Sequence, residues 1–258
     1  MEIISVPCAG DQGESSGSIE CTSDYDDRGF AAYCSEPDKT RELRNNNKRR
    51  SDMNIYIIRH GETDWNAQRK LQGQADVPLN EKGRRLAALT AEAMKDISFA
   101  EAYSSPLVRA METAKTILGS RDIPIIQDNR LMEISFGSFE GEEMKPENPR
   151  LQGNGFMNFF TAPDQYIAPT GGETFLQVCE RTTQFLEELA ARRDLEGKNV
   201  LVASHGAAIK GMLSSLYLTD ISDFWHGGVH KNCAVSLIRV RDGQMTLVED
   251  GKIYYKDE

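Results

Sequence analysis

The chain has 258 residues, 39% of them hydrophobic and 27% charged, and its formal net charge is −10. This length is enough to bury the core of one domain of about 200 residues. No stretch reaches the ~18 apolar residues of a membrane span, and the N-terminus lacks the basic and apolar regions of a secretory signal. We therefore expect no membrane partner.

The charge of the chain limits which partners we expect it to bind, and its cysteine content indicates the cellular compartment. The acidic balance disfavours broad binding to nucleic acid. Five cysteines, an odd and low number, argue against a disulfide scaffold and fit a reducing, cytoplasmic location. If the ligand is an anion, an acidic chain must bring its cations together in one place.

Residues 1–52 differ in composition from the rest of the chain. They are rich in Ser, Asp, Gly and Asn, and they end in a basic run over residues 44–50. Because such a segment buries too little apolar surface to offset the entropy lost on ordering, we predict a disordered polar extension. A targeting or partner-binding arm is the alternative, and its protein partner is unknown. A catalytic domain is predicted over residues 53–258, and Met53 fits an alternative translation start.

From Met53 onward, short β-rich runs alternate with amphipathic segments. The predicted strands cover residues 54–58, 102–104, 123–126 and 199–203. The predicted helices follow Asn80, run from Pro106 to Gly119, begin near Glu173 and cover residues 207–217. Asp-Gly pairs at residues 242–243 and 250–251 predict two hairpins. This order predicts an α/β fold, a three-layer α/β/α sandwich with a mostly parallel central sheet and an antiparallel hairpin edge at the C-terminal end.

Two of the predicted strands end in a histidine followed by a glycine, His60-Gly61 and His205-Gly206. Ligands of open α/β sheets bind at the carboxyl ends of the strands, and glycine lets a ligand approach the backbone. A single histidine is usually structural, but two at equivalent points favour a functional pair.

Arginine and glutamate side chains complete the candidate site. Arg59 and Arg109 follow strand ends, and a planar guanidinium matches phosphate oxygens in a bidentate manner. Glu133 lies within an otherwise apolar stretch, where burial would raise its pKa and suit it to be a general acid. A solvated arginine and an ordinary surface carboxylate remain the alternatives at this point.

In this order, the motifs from residue 53 to the C-terminus resemble the histidine phosphatase superfamily, also called phosphoglycerate mutase-like. Within it, the match is to the branch of broad-specificity and α-ribazole phosphatases. The matching segments are RHGETDWN at 59–66, LQG at 71–73, PLNEKG at 78–83, SPLVRA at 105–110, Glu133 followed by FEG at 139–141, GGE at 171–173 and SHG at 204–206.

The resemblance implies a mechanism without a metal or cofactor. His60 attacks phosphorus to form a phosphohistidine, while Glu133 protonates the leaving oxygen and later activates water. Arg59, Arg109 and His205 stabilise the phosphoryl oxygens in the transition state. The further phosphate- or substrate-binding residues implied are Asn66, Gln72, Gly73 and Gly206.

Within this family we expect a phosphomonoester hydrolase that acts on a small phosphorylated metabolite. After Glu133 and His205 the chain lacks the basic residues with which mutases hold a second acidic group. Phosphoglycerate mutase is the alternative, followed by a regulatory binding module. Residues 142–170 are the predicted lid, whose aromatic residues favour apolar or aromatic phosphomonoesters, unless they only pack the lid onto the core.

Two other patterns carry less weight. Cys233 and Arg239 have the spacing of cysteine phosphatases, but the residues between them form a predicted strand without glycine. His226 and His230 have metal-ligand spacing only on a helix, which Gly227 and Gly228 disfavour.

Overall fold

A six-stranded mixed sheet forms the centre of the domain. The computed structural model describes residues 51–152 and 155–256, so the predicted extension lies outside the described residues up to residue 50. The strands of the sheet are β1 (Met53–Arg59), β2 (Phe99–Ser104), β3 (Ile125–Gln127), β4 (Asn199–Ser204), β5 (Val235–Arg241) and β6 (Gln244–Lys252). They run in the spatial order β3-β2-β4-β1-β5-β6, in which the first four are parallel and β5 pairs antiparallel with both β1 and β6. The predicted sheet is therefore confirmed.

Helices cover both faces of this sheet, which confirms the three layers. The helices are α1 (Asp64–Ala67), α2 (Glu81–Ala93), α3 (Val108–Leu118), α4 (Asn158–Thr161), α5 (Phe175–Ala190) and α6 (Gly206–Tyr217). On one face, apolar side chains of α2 and α3 pack against β1, β2 and β4, and on the other face α5 and α6 pack against β1, β4 and β5. Among the described residues, no helix is long and apolar enough to cross a membrane.

The helix ends follow the capping signals of the sequence. The Asn80 side chain accepts a hydrogen bond from the Gly83 N–H at 2.7 Å and so caps α2. Thr174 and Gln177 form a reciprocal capping box at the start of α5. Gly119 ends α3 with a φ of 59°, a conformation that glycine adopts without steric cost.

Parallel pairing of β1 with β4 aligns the two strand ends that carry the histidines. Arg59 stands opposite Ser204 in the register, and the His60 N–H donates to the Ser204 carbonyl at 3.0 Å. Both strands carry fully buried apolar side chains. A shift of the pairing register by one residue would turn these side chains to the opposite face of the sheet. The register therefore fixes His60 and His205 next to each other.

A close approach explains the glycine at the start of α2. A Cβ atom on Gly83 would lie 2.0 Å from the carbonyl oxygen of Glu62, so no other residue fits without a shift of the backbone. Asn80 also binds this loop, because its N–H donates to the Glu62 carbonyl at 2.9 Å. The segment over residues 78–83 thus supports the loop that follows His60.

One of the two predicted hairpins is wrong. Asp242 and Gly243 form the expected turn between β5 and β6, both with positive φ. Asp250 and Gly251 instead lie inside β6, where two residues oppose the single Ser236 of β5 in a β-bulge. The same dipeptide suits both structures, because Gly251 supplies the positive φ that the bulge uses.

The residues just before β1 are bonded to the domain. Asp52, which the composition assigned to the extension, forms two hydrogen bonds of 2.7 Å with the guanidinium of Arg241. The Ser51 carbonyl accepts from the Gly197 N–H at 3.0 Å. We therefore propose that the domain begins at Ser51.

Removal of residues 1–50 is expected to leave the melting temperature unchanged, whereas removal of residues 1–52 lowers it. The longer truncation deletes the partners of Arg241 and Gly197. One lost backbone hydrogen bond, about 1 kcal/mol, corresponds to roughly 2–4 °C in a domain of this size. Calorimetry of both truncations beside the full chain measures the difference in melting temperature. Equal melting temperatures would place the start of the domain at Met53 instead.

Candidate active site

The carboxyl ends of β1, β2 and β4 meet at one cavity of about 400 Å³. The cavity lies at the strand ends where the sequence placed the candidate site. His205 is fully buried behind the cavity surface. The other catalytic and binding residues that the resemblance implied all line the cavity: Arg59, His60, Asn66, Gln72, Gly73, Arg109, Glu133 and Gly206.

His60 is held with one ring nitrogen directed at the backbone. Its Nδ1 lies 2.7 Å from the carbonyl oxygen of Gly61, which can only accept, so Nδ1 carries the proton. Nε2 is then left with a lone pair. The loop itself is fixed, because the Gly61 N–H donates to the Thr113 hydroxyl of α3 at 3.0 Å and the Asn232 amide donates to the His60 carbonyl at 3.1 Å.

His205 has the opposite tautomer. Its Nδ1 accepts from Nε of Arg109 at 3.2 Å, and its Nε2 lies 2.8 Å from the Ser105 hydroxyl, to which it donates. The ring centroids of His60 and His205 are 5.1 Å apart. The two histidines are therefore in close proximity, but both nitrogens of His205 are engaged by protein groups.

Burial and neighbouring cations keep both imidazoles neutral. Burial, followed by the charges of Arg109 and Arg59, holds the pKa of His60 well below its ordinary value of 6.5. Burial and the charge of Arg109 lower the pKa of His205 in the same way. A neutral His60 with a lone pair on Nε2 is a nucleophile rather than a cation at neutral pH.

Arg109 is a fully buried cation that ties three segments together. Besides His205, its guanidinium donates to the carbonyls of Gly73 and Ala75, each at 2.7 Å. Burial lowers its pKa to about 10, so it stays charged at neutral pH. Two of its five N–H groups remain for a ligand.

Arg59 presents a donor that the protein does not use. Its Nε is buried without a hydrogen-bond partner among the described residues, and its Nη1 donates to the carbonyl of His230. A Cβ atom added to Gly206 would lie 3.7 Å from this Nε and 3.6 Å from Oε2 of Glu133. Gly206 thus keeps open the space between the guanidinium and the carboxylate.

Sequence reasoning missed a polar network around His230, the residue whose carbonyl accepts from Arg59. His230 bonds through Nε2 to Oδ1 of Asp250 at 2.6 Å, and Nζ of the fully buried Lys210 lies 3.5 Å from Oδ2 of the same carboxylate. Burial works to raise the pKa of Asp250, but the His230 bond and the Lys210 charge outweigh it and hold the pKa low. The bulge at Asp250 is the local feature that places this carboxylate.

Glu133 lies against the start of α6, not in the apolar environment that its sequence neighbours suggested. Its Oε1 accepts from the N–H groups of Ile134, Ala207 and Ala208, each at 3.0 Å. The Ala207 and Ala208 donors belong to the N-terminus of α6, which favours negative charge. The Arg181 guanidinium holds the same loop by donating to the Glu133 carbonyl at 3.1 Å.

Three predicted binding residues also maintain the shape of the loop around the cavity. Asn66 accepts through Oδ1 from the Thr63 N–H at 3.1 Å, which leaves its amide nitrogen as a donor. Gln72 accepts through Oε1 from the Thr63 hydroxyl at 2.9 Å. Gly73 has a φ of 53°, and a Cβ there would lie 2.2 Å from Oε1 of Glu140.

The predicted lid forms one wall of the cavity. Phe156, Phe159 and Tyr166 are buried in a cluster with other apolar side chains, as the packing alternative expected. Phe159 also lines the cavity, as does the exposed Phe160. The Trp225 indole N–H donates to the Phe159 carbonyl at 2.6 Å and joins this wall to the loop before β5.

Sequence reasoning also missed several cavity residues, among them Arg69, Lys70, Trp225 and Val229. Arg69 and Lys70 stand between two motifs that were recognised, and their charge was the available signal. Trp225 and Val229 lie in the segment after α6, where the pattern offers no periodicity. Their contribution depends on contacts between distant parts of the chain.

The remaining candidate sites are structural. Cys233 is buried and burial raises its pKa to about 12, so its thiol is protonated at neutral pH. His230 pairs with Asp250, whereas the exposed His226 lies 3.2 Å from Asp223. Within residues 51–152 and 155–256, no group of three or more His, Cys, Asp or Glu side chains is arranged to hold a metal.

Comparison with known proteins identifies the family. Residues 55–251 match the model of the histidine phosphatase superfamily (branch 1), and the chain belongs to this superfamily. A metal-independent phosphoserine phosphatase of Arabidopsis thaliana is 34% identical over 73% of this chain and 76% of its own length. A 2,3-bisphosphoglycerate-dependent phosphoglycerate mutase of Gloeobacter violaceus is 33% identical over 63% of this chain and 74% of its own length. The solved structure of Bacillus stearothermophilus YhfR superposes with a TM-score of 0.72 at 33% identity, covering 78% of this chain and 98% of that one.

The two tautomers can be measured directly. At pH 7, ¹⁵N NMR is expected to show His60 neutral with its proton on Nδ1, and His205 neutral with its proton on Nε2. Since burial and two arginines lower the pKa of His60, its neutral form persists as the pH falls through 6.5. The acid limb of kcat/KM that reports His60 should therefore lie well below pH 6.5. An imidazolium at His60, or a proton on its Nε2, would contradict this assignment, and the exposed His226 supplies a reference signal.

Proposed function

We propose that the protein is a metal-independent phosphomonoester hydrolase that acts on a small phosphorylated metabolite through a phosphohistidine at His60. The observation that carries this proposal is the convergence of a neutral His60, the unpartnered Nε of Arg59 and the Glu133 carboxylate at one cavity. Membership of the superfamily and the similarity to the phosphoserine phosphatase of Arabidopsis support it.

In this mechanism the Nε2 lone pair of His60 attacks phosphorus. The Gly61 carbonyl accepts the Nδ1 proton at 2.7 Å and keeps Nε2 directed towards the cavity. As the bond forms, His60 becomes positively charged, and the same hydrogen bond stabilises that charge. No general base is needed to activate this nucleophile, because its low pKa already leaves it unprotonated.

Arginines supply the positive charge that the transition state requires. Nε of Arg59 and the two remaining N–H groups of Arg109 would donate to the equatorial phosphoryl oxygens. Both side chains are anchored before the substrate arrives, so little reorganisation accompanies the reaction. His205 would join them by exchanging Ser105 for a phosphoryl oxygen as the acceptor of its Nε2 proton.

Glu133 is proposed to move the proton. Its Oε1 is occupied by three backbone N–H groups, whereas Oε2 has a single contact, 3.3 Å from the Ala207 N–H. Oε2 would therefore hold the proton that goes to the leaving oxygen, and the carboxylate would then accept a proton from the attacking water. Both steps need a carboxylic group within reach of phosphorus.

Phosphoglycerate mutase is the second candidate, and similarity to the enzyme of Gloeobacter violaceus favours it. The two activities share the phosphohistidine and differ in its acceptor, which is water in a phosphatase and a second substrate molecule in a mutase.

We also propose a cytoplasmic location. The number of cysteines, together with the free thiols of Cys179 and Cys233, supports this proposal.

The hydrolase proposal predicts release of inorganic phosphate from p-nitrophenyl phosphate in the presence of EDTA. A panel of phosphomonoesters that includes 3-phosphoglycerate then separates the candidates. Phosphate release supports the hydrolase, whereas conversion of 3-phosphoglycerate without phosphate release supports the mutase. Loss of all activity in EDTA would contradict the metal-independent mechanism, and silence on every substrate would favour a binding module.

Substitution of Glu133 tests the proton transfer. Glu133→Gln should slow hydrolysis of an alkyl phosphate by roughly 10²–10⁴-fold, because its poor leaving group must be protonated. Hydrolysis of p-nitrophenyl phosphate should fall much less, since that leaving group departs as an anion. Glu187→Gln, an exposed change on α5, provides the matched control. Equal losses on both substrates would remove Glu133 from the role of acid.

A further inference from the structure

We propose that Arg181 is a positioning residue for the proton transfer by Glu133, and that Glu173 anchors it in that role. The inference rests on the proposed hydrolase function and adds two residues that act on the reaction without contacting the substrate. Arg181 lies on α5, and Glu173 directly precedes Thr174, which caps this helix. We call Arg181 and Glu173 the clamp.

Glu133 is carried by a segment without regular secondary structure. The segment follows a 3₁₀ turn at Asn129–Leu131 and reaches an isolated β-bridge at Phe136. Because no ladder of hydrogen bonds runs along it, its backbone carbonyls need donors from other parts of the chain. Displacement of a reacting group by about 1 Å can lower a rate by about 10²-fold. The donors that hold this segment therefore bear on the proton transfer.

The guanidinium of Arg181 supplies three bonds to this segment. Nη1 donates to the carbonyls of Arg130 at 2.8 Å and Met132 at 2.7 Å, and Nη2 donates to that of Glu133 at 3.1 Å. The remaining N–H groups donate to the Glu173 carboxylate, from Nε at 2.8 Å and from Nη2 at 2.9 Å. The protein thus uses all five N–H groups of the guanidinium. None is left for a phosphoryl oxygen, so Arg181 acts on the position of Glu133 and not on the substrate.

Glu173 extends the clamp to the other side of Glu133. Its Oε2 accepts from the Ser135 N–H at 2.9 Å, and its own N–H donates to the Ser135 carbonyl at 2.9 Å. Arg181 therefore holds the carbonyl of Glu133 itself, while Glu173 holds the residue two positions later. Both side chains of the clamp are half-buried, and hydrogen bonds between charged groups are stronger where water is partly excluded.

The motif GGE at residues 171–173 brings the anchor to this segment. Gly172 forms a β-bridge with Phe136, and a Cβ atom on Gly172 would lie 3.0 Å from the carbonyl oxygen of Ser135. Glycine permits this close approach. None of the proposed catalytic steps uses the motif, and its place beside Glu133 gives it a function in the clamp.

A third side chain connects the clamp with the loop that Arg109 organises. The Gln74 amide donates to the Glu133 carbonyl at 3.2 Å and lies 3.4 Å from Oε2 of Glu173. Gln74 follows Gly73, whose carbonyl accepts from Arg109 at 2.7 Å. The clamp therefore fixes Glu133 relative to the arginine that is proposed to bind the phosphoryl group.

The first test compares an alkyl phosphate, glycerol 3-phosphate, with p-nitrophenyl phosphate in the variant Arg181→Met. Only the alkyl leaving group needs the proton of Glu133. The ratio of kcat/KM on the alkyl phosphate to kcat/KM on p-nitrophenyl phosphate should therefore fall by roughly 10–10²-fold. Arg192→Met is the matched control, because Arg192 pairs with Glu101 and Asp194 instead, and it should retain the ratio. Equal losses on both substrates in Arg181→Met would show a merely structural role and overturn the proposal.

Two further variants show whether Arg181 acts through Glu133. In the background of Glu133→Gln, the change Arg181→Met should leave the ratio unaltered, because the group on which Arg181 acts has already been removed. Arg181→Lys keeps the positive charge but lacks the planar fork, and its ratio should fall as in Arg181→Met. A further fall in the double variant, or a wild-type ratio in Arg181→Lys, would overturn the proposal.

Amide hydrogen exchange tests the positioning without turnover. The N–H groups of Ala207 and Ala208 lie in the first turn of α6, where a helix offers no partner of its own, and Oε1 of Glu133 is their acceptor. In Arg181→Met their exchange should accelerate by about tenfold. The amide of Ile57 in the central strand β1 should exchange as in wild type, which separates a local displacement from a loss of global stability.

The exchange result is independent of whether the protein is a hydrolase. If wild type hydrolyses neither substrate, the proposed function fails, and exchange alone decides the clamp. If Arg181→Met does not fold, Glu173→Gln should shift the exchange in the same direction, because it weakens the anchor but leaves an oxygen for the Ser135 N–H. Exchange at Ala207 and Ala208 that stays at the wild-type rate in the folded variant would overturn the proposal.

Discussion

The guanidinium of Arg109 is the group on which the arrangement of the cavity depends. A buried charge is costly unless hydrogen bonds satisfy it. Three acceptors do so here: the carbonyls of Gly73 and Ala75 and Nδ1 of His205. These bonds position the loop that carries Gln72 and Gly73, set the tautomer of His205 and place a cation beside His60. The shape of the cavity, the tautomer of His205 and the positive charge beside His60 therefore all depend on one buried side chain.

Much of the fold and part of the site can be predicted from local patterns. The β-runs before His60 and His205 identify buried parallel strands, whose carboxyl ends meet by the geometry of the sheet. Caps such as Asn80 and Gly119 mark helix ends because each acts within a few residues. The bulge at Asp250 and Gly251 was not predicted, because an Asp-Gly pair fits both a turn and a bulge. Which of the two forms depends on the pairing with the neighbouring strand.

The rest of the site depends on contacts that no local pattern contains. Glu133 meets the N–H groups of Ala207 and Ala208, residues more than seventy positions away, and these donors rather than its apolar neighbours define its environment. Arg69 and Lys70 reach the cavity because their segment pairs with the base of the lid. Among the described residues of this acidic chain, four cations line the cavity beside the single carboxylate of Glu133.

The hydrogen bond from Trp225 to the Phe159 carbonyl has a practical consequence. The chain contains two tryptophans. Trp225 lines the cavity, and the ring of Trp65 would lie 3.3 Å from a Cβ on Gly141, at the base of the predicted lid. Trp225 thus lies at the cavity, and Trp65 lies against Gly141, just before the predicted lid. The intrinsic fluorescence of the protein is therefore a built-in optical reporter of the cavity and needs no label.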